Sequence, residues 1–306
     1  MTNPKRTSMV DLNELLASAQ LPALPQSAIR LLELSQDPEN GPAEYAAPIE
    51  ADPGLTGQVL RFVNSSYFGF SREISSVKLA ITLVGVRTIK NFALWSAVFS
   101  LMPNPKCGAL DLKVLWQDSL RRALFARVLG KQMGVKDAED FFAAALLQDM
   151  AIPLLAKELP EHYAEMFAER QEGNVGLSQL EQDRFGWTHA AAAGVLATIW
   201  NLPGEFGDYM ATHTEWESLS TSSDASPGQL AVALSALLPS GADPTWHCGP
   251  QFEAGYTQLA GAGAPPIAEF LTQTDDLFTE FAPVLKLNTT IKPLAESYAE
   301  STAPAS

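Results

Sequence analysis

The sequence predicts an all-α protein, and three observations carry that reading. No run of alternating β-branched residues of strand length occurs anywhere in the chain. Apolar residues instead recur at three- and four-residue spacing, which lines one face of a helix. The stretches that carry them are bounded by helix punctuation, with Asp52-Pro53 and Ser226-Pro227 as starts and Asp37-Pro38 as a stop.

The elements follow in chain order. Leu12, Leu15 and Leu16 make a short amphipathic helix, and after Leu21-Pro22-Ala23-Leu24-Pro25 a second stripe runs through Ile29, Leu32 and Leu34. Asp37-Pro38 ends it, because the residue before a proline is pushed out of the α region. A third helix covers about 42–51. Asp52 then supplies an N-cap carboxylate and Pro53 a first helical residue whose missing N–H costs nothing. That helix turns Leu55, Val59, Leu60 and Val63 inward until Asn64-Ser65-Ser66 closes it. Val77–Leu101 is apolar and breaks at Gly85. Beyond the Pro103–Pro105 loop a long helix spans about 111–133, and a turn at Gly134–Asp137 leads to an apolar helix, Phe141–Leu155, kinked or shortened by Pro153. Polar helices at about 160–172 and 177–185 precede the alanine-rich Trp187–Trp200, and Leu202-Pro203-Gly204 opens a helix ending near Thr212. Residues 218–228 form the clearest polar connection, and Ser226-Pro227 caps a helix carrying Leu230, Val232, Leu234, Leu237 and Leu238. Helices at about 251–260 and 265–285 follow, and the tail from Ala295 is expected to fray.

Composition bounds the function. A chain of 306 residues with 46% hydrophobic and 18% charged residues has the balance of a folded globular protein. Its net charge of −15 argues against nonspecific binding to nucleic acid, and no apolar stretch is long enough to insert in a membrane. The two cysteines, Cys107 and Cys248, are far apart, so neither a disulfide framework nor a structural zinc site is expected. With no apolar stretch of signal-peptide length after Lys5 and Arg6, a cytoplasmic location is expected. The charge is unevenly spread. Residues 61–131 hold 11 basic and 3 acidic residues, a net +8, whereas residues 201–306 hold 2 basic and 13 acidic residues, a net −11. Arg61, Asn64, Arg72, Lys78 and Arg87 are therefore candidates for binding a phosphate or an acidic partner. No P-loop, nucleophile elbow or dinucleotide fingerprint is present.

The residues with metal chemistry fall in a suggestive order. Gln148-Asp149 lies on an apolar helix, followed by Trp187-Thr188-His189 and Ala211-Thr212-His213. This order resembles the helical HD superfamily of metal-dependent phosphohydrolases. More closely, the sequence resembles the HDOD family, the HD-related output domains of bacterial signalling proteins. The likeness runs over about 15–240 and is carried by Leu21-Pro22-Ala23-Leu24-Pro25, Ile49–Leu55, Leu60–Gly69, Ile74–Gly85, Trp116–Leu120 and Phe185–Pro203.

The resemblance implies a multi-helix HDOD-like fold with an N-terminal helical subdomain over 1–105, a degenerate HD-like subdomain over 106–240 and an acidic helical extension over 241–306 with a disordered tail. It also assigns a site: Asp118, Gln148, Asp149, His189, His213 and Ser235. Glutamine stands where the family's His-Asp pair has histidine, and serine where an active enzyme carries aspartate. Because a two-metal hydrolase needs those imidazole and carboxylate donors, the expectation is no catalytic residue, no bound metal and no cofactor. The chain is then no enzyme but a signalling or regulatory module working by protein–protein interaction. Enzymes of cyclic-di-nucleotide signalling and response regulators are its expected partners. Two other readings stay open: a nucleotide-binding sensor without catalysis, and a residual metal-dependent phosphohydrolase.

Overall fold

The computed structural model describes residues 10–136, 138–170 and 175–303. Among these every regular element is helical. The N-terminal part comprises α1 (Leu12–Ser18), α2 (Gln26–Leu34), α3 (Pro42–Glu50), α4 (Pro53–Val63), α5 (Val77–Val84) and α6 (Val86–Leu101). Next come α7 (Leu112–Gln132), α8 (Ala138–Leu147), α9 (Ala151–Glu158), α10 (Pro160–Arg170), α11 (Leu177–Phe185), α12 (His189–Ile199) and α13 (Gly204–Thr212). The short α14 (Trp216–Leu219) leads to α15 (Pro227–Ala236), α16 (Gly249–Ala260), α17 (Ile267–Phe281) and α18 (Leu294–Thr302). No helix of the described residues is long and apolar enough to cross a membrane.

The punctuation works as the sequence indicates. Asp52 accepts from the Leu55 amide at 3.0 Å with Pro53 behind it, and Ser226 and Gln229 cap each other's backbone at the start of α15. Gly85 holds φ at +93°, a conformation that favours glycine, and there the chain breaks between α5 and α6. Asn64 does more than close α4. Its amide donates to the Leu60 and Ile74 carbonyls at 2.9 and 2.8 Å and accepts from the Ile74 amide at 2.7 Å, pinning both ends of the 64–74 loop.

The long helix α7 is the axis of the molecule. It packs against α8, α15, α16 and α17 and buries Trp116 through Leu120, Phe125 and Leu129, so it is covered on most of its circumference. The N-terminal helices join this core through α6, which lies on α8. An aromatic seam closes the joint. Phe62 stacks on Phe92 at 4.1 Å between centroids, and Phe62, Tyr67 and Phe142 all meet Phe281. The buried Arg127 guanidinium lies 4.5 and 4.9 Å from the Tyr67 and Phe142 ring centres.

Two segments depart from expectation. The apolar helix expected over Phe141–Leu155 is two helices, with a turn at 148–150 between α8 and α9. Pro153 is the cause, since its ring is incompatible with a helical carbonyl four residues earlier, at Asp149. The Asp149 carbonyl instead accepts from the Ile152 amide at 3.0 Å. Within the expected frayed tail, residues 294–302 form α18, with Leu294 wholly buried. The Asp275 carboxylate accepts from the Leu294 and Ala295 amides at 2.9 and 3.0 Å and anchors its first turn. Residues 304–306 lie outside the described part.

Candidate functional site

The break forced by Pro153 places Asp149 at the junction of α8 and α9, 2% exposed. Two histidines reach it from other helices. His189 is the first residue of α12, and His213 caps the end of α13. These two helices pack closely because Gly194 lets them: a Cβ there would sit 2.7 Å from that of Ala211. The Nε2 atoms of His189 and His213 are 3.2 Å apart, and Asp149 Oδ1 lies 3.3 and 3.6 Å from them.

The other ring nitrogens are occupied. His189 Nδ1 is 2.6 Å from the Glu181 carboxylate, which also accepts from the His189 amide at 2.8 Å and from the Tyr163 hydroxyl at 2.6 Å. His213 Nδ1 is 2.7 Å from the Met210 carbonyl. Both acceptors require a proton on Nδ1, so in the neutral rings both Nε2 lone pairs face one another and the Asp149 oxygen. Such a trio is stable only with positive charge at its centre. In the metal-free chain a proton supplies it: against burial, Glu181 and Asp149 push the His189 pKa up to about 9, while burial draws His213 down. Asp149 is held well below the usual carboxylate range; burial opposes this, but Arg122 and the two histidines prevail.

A divalent cation fits the same place. Two imidazole nitrogens and one carboxylate oxygen, all within 4.8 Å of one another, form a donor set suited to manganese, iron or zinc. The second Asp149 oxygen is ion-paired with Arg122 of α7. The adjoining cleft, also lined by Asp118 and His247, measures about 120 Å³. That admits a phosphate-sized group and lies well below the roughly 300–1,000 Å³ of sites for larger ligands.

The remaining expected site residues lie around this centre or away from it. Gln148 is wholly buried behind Asp149, with its Oε1 3.5 Å from the Ser235 hydroxyl and its Nε2 without a hydrogen-bond partner. Asp118 belongs to a different network: it accepts from the Gly241 amide at 3.0 Å, from the Ser240 hydroxyl, and from Arg121 at 3.3 Å. In the basic segment Arg87 is ion-paired with Asp140 at 3.2 Å, whereas Arg61, Arg72 and Lys78 are exposed.

Glu181 and Arg122 escape the sequence reading. Glu181 sits on a helix whose composition is polar, where a lone acid looks solvent-facing. The only hint of Arg122 is the Arg121-Arg122 pair set between Leu120 and the apolar Ala123-Leu124-Phe125 of α7.

The assembled trio also overturns the expectation that the chain is no enzyme. Despite Gln148 and Ser235, Asp149, His189 and His213 remain buried together in ligating geometry, so loss of activity does not follow from the two replaced positions.

Solved structures of similar fold come from several bacteria. An HDOD domain protein of unknown function from Geobacter sulfurreducens is 19% identical, with a TM-score of 0.63 over 95% of this chain and 91% of that one. A protein from Shewanella amazonensis SB2B, provisionally named a phosphohydrolase, is 19% identical with a TM-score of 0.64 over 97% and 100% of the two chains. One from Marinobacter aquaeolei VT8, provisionally named a signal transduction protein, is 18% identical with a TM-score of 0.62 over 98% of this chain and 66% of that one. An uncharacterized protein of Treponema pallidum (strain Nichols) is 25% identical over 186 residues, 60% of this chain; the match spans only 35% of that relative's length. The HDOD domain itself matches residues 21–216, which takes in α2 to α13 and all three members of the buried trio. On that match the chain belongs to the HDOD family.

Proposed function

We propose that this chain is a bacterial signalling protein that acts through contacts with other signalling proteins, and that one divalent cation at Asp149, His189 and His213 sets the state they read. The signalling role is supported by membership of the HDOD family and by the signal-transduction name of the Marinobacter neighbour. The observation that carries the cation is the mutual aim of the two Nε2 atoms, each ring locked from behind by Glu181 or the Met210 carbonyl. Gln148 and Ser235 offer neither imidazole nor carboxylate, so the site holds one cation rather than two.

When bound, such a cation supplies Lewis acidity toward a phosphoryl oxygen and lowers the pKa of coordinated water. The chain's own groups do the rest: Arg122 adds a fixed positive charge beside Asp149, and the cleft at the trio has room for a phosphate-sized group. Any link to cyclic-di-nucleotide signalling is placed in the partner, an enzyme of that system.

Metal-dependent phosphoester hydrolysis is the second reading, favoured by Arg122 beside the trio and by the phosphohydrolase name of the Shewanella neighbour.

Elemental analysis of protein purified with manganese, iron or zinc supplied tests the first reading. About one equivalent per chain is expected, lost in His213→Ala and in Asp149→Asn. Metal no higher than in those variants would sink it. Turnover of a phosphomonoester by the metal-loaded protein, absent in the same variants, decides for the second reading; no turnover decides against it.

A further inference from the structure

The signalling reading requires a place where a partner binds, and the surface offers one. Four large hydrophobic side chains stand exposed among the described residues, and three of them, Phe70, Leu79 and Leu83, lie within one loop and helix. Leu79 and Leu83 are four residues apart on α5 and are 44% and 47% exposed; Lys78 and Thr82 flank them on the same uncovered side. Val77, Ala80 and Ile81 form the inner side, packed toward α3, α4 and α6. The helix thus carries apolar residues on both faces, although only one of them meets the core.

Charge surrounds this outer face unevenly. Arg61 at the end of α4, Arg72 in the loop and Lys78 on α5 are exposed, whereas Arg87 further along is paired with Asp140. Between residues 61 and 90 the single acidic residue is Glu73; α3, which packs on α5, carries the exposed Glu44 and Glu50. An exposed apolar pair with Lys78 beside it on α5, and with Arg61 and Arg72 exposed on the helix and loop that lead to it, is a surface for an anionic, partly apolar occupant. The whole chain carries −15, so an anionic membrane or a nucleic acid would meet long-range repulsion while approaching this patch. A small acidic protein segment incurs the least of that repulsion.

Resting on the signalling reading above, we propose that the outer face of α5, with Phe70, Leu79 and Leu83 as anchors and Arg61, Arg72 and Lys78 as rim, docks an acidic amphipathic helix of a partner protein. α5 has 8 residues, about 12 Å of helix at 1.5 Å per residue, so the occupant contacts it over two to three turns. An interface of this size belongs to the weak, exchanging class suited to signalling.

The test uses the full chain and a dye-labelled 18-residue helical peptide with leucine at i, i+3, i+4 and i+7 and glutamate elsewhere, followed by fluorescence anisotropy. Saturable binding is expected, weakened about threefold or more between 50 and 300 mM salt because exposed charges are screened. It should fall at least tenfold in Leu79→Ser/Leu83→Ser and in Arg72→Glu/Lys78→Glu; these positions are exposed, and unchanged circular dichroism melts verify folding. A peptide with lysine in place of glutamate should not bind. No binding, or binding indifferent to both double variants, overturns the proposal. So does a face that binds phosphatidylglycerol vesicles or duplex DNA more tightly than the peptide, or a dimer in sedimentation velocity that Leu79→Ser/Leu83→Ser dissolves. A partner crosslinked in the native cell whose association survives both double variants removes this face but leaves the signalling reading standing. Failure to find any specific partner with the unmodified chain removes that reading itself.

Discussion

At the level of single residues, the buried trio competes with itself for positive charge. Asp149 shares one oxygen with Arg122 and turns the other to the histidines, so a bound cation and the guanidinium draw on one carboxylate. Arg122→Ala should therefore act in two directions. Without metal it leaves Asp149 buried and less well compensated, a change that costs about 3 kcal/mol and lowers the melting temperature. With metal it removes a nearby positive charge, so the thermal stabilisation by manganese should exceed that of the unmodified chain. Differential scanning calorimetry with and without manganese reads both effects, and an equal shift in the two proteins would refute the competition. Glu181→Gln should weaken metal binding about 10- to 100-fold by releasing the His189 ring, measurable by competition with a chromophoric chelator. The proton at the centre gives a pH dependence to the metal-free chain. His189 is raised from 6.5 to about 9, so its contribution to stability is whole below about 6.5 and is lost as pH rises through about 9. His213, lowered by burial, acts in the opposite sense, because its unfolded ring still takes up a proton near pH 6.5, and this ends by about pH 7.5. Melting temperatures at intervals from about pH 7.5 to 10 should therefore fall; a flat profile there would show that no proton bridges the rings. Asp149, His189 and His213 were legible because their order along the chain matches a family pattern. Glu181 and Arg122 were not, because their roles arise only when other helices bury them.

At the level of helices, sequence punctuation located nearly every element but not the consequence of Pro153. A proline within an apolar run reads equally as a kink or a stop, and the choice depends on what the freed carbonyl at position 149 can find. Here the Ile152 amide takes it, and the resulting turn sets the Asp149 side chain at a helix junction where two later helices bring their histidines. The approach of those two helices was foreshadowed by the alanine-rich composition of α12, yet the tightest contact is at Gly194. Gly194→Val would place carbon atoms within 2.7 Å of Ala211 and must push α12 from α13. Overpacking of this kind costs about 1–3 kcal/mol. Because His189 and His213 sit on the separated helices, metal affinity should fall by more than tenfold in Gly194→Val and remain near normal in Gly207→Ala, where the nearest atom would be 3.6 Å away. If both variants bind metal equally, helix spacing does not govern the site.

For the molecule as a whole, net charge and sequence position set residues 241–306 apart as an acidic extension. The packing gives the residues after 240 a different task. Phe252, Phe270 and Phe281 are almost fully buried, with Phe281 set in the seam between Phe62, Tyr67 and Phe142, so removal from residue 241 onward would open the core rather than uncover a surface. None of this shows in a charge count, because acids on the outer sides of α16 to α18 say nothing about what the inner sides touch. The connection leading into α18 is held by polar contacts to α7: Gln117 donates to the Asn288 carbonyl at 2.8 Å, and Arg121 to the Lys292 carbonyl at 2.8 Å. Arg121 is 2% exposed and also donates to Asp118 and the Pro239 carbonyl, so it ties the end of the chain to the 239–241 loop beside the cleft. A shorter truncation, ending at Lys286, spares the aromatic seam and removes these ties, α18 and the packing of Leu287 and Ile291, the latter beside Gly241. It leaves Asp275 and part of Arg121 without their backbone partners, at about 1–3 kcal/mol for each buried group left unsatisfied. The truncated chain should keep its helical circular dichroism and melt several degrees lower. Hydrogen exchange should rise at residues 239–246 and along the first half of α7, while the Asp149 trio, held by α8, α12 and α13, keeps its metal affinity. Exchange confined to the new chain end, with residues 239–246 as protected as before, would show that Arg121 does not transmit the state of the C-terminal segment to the cleft.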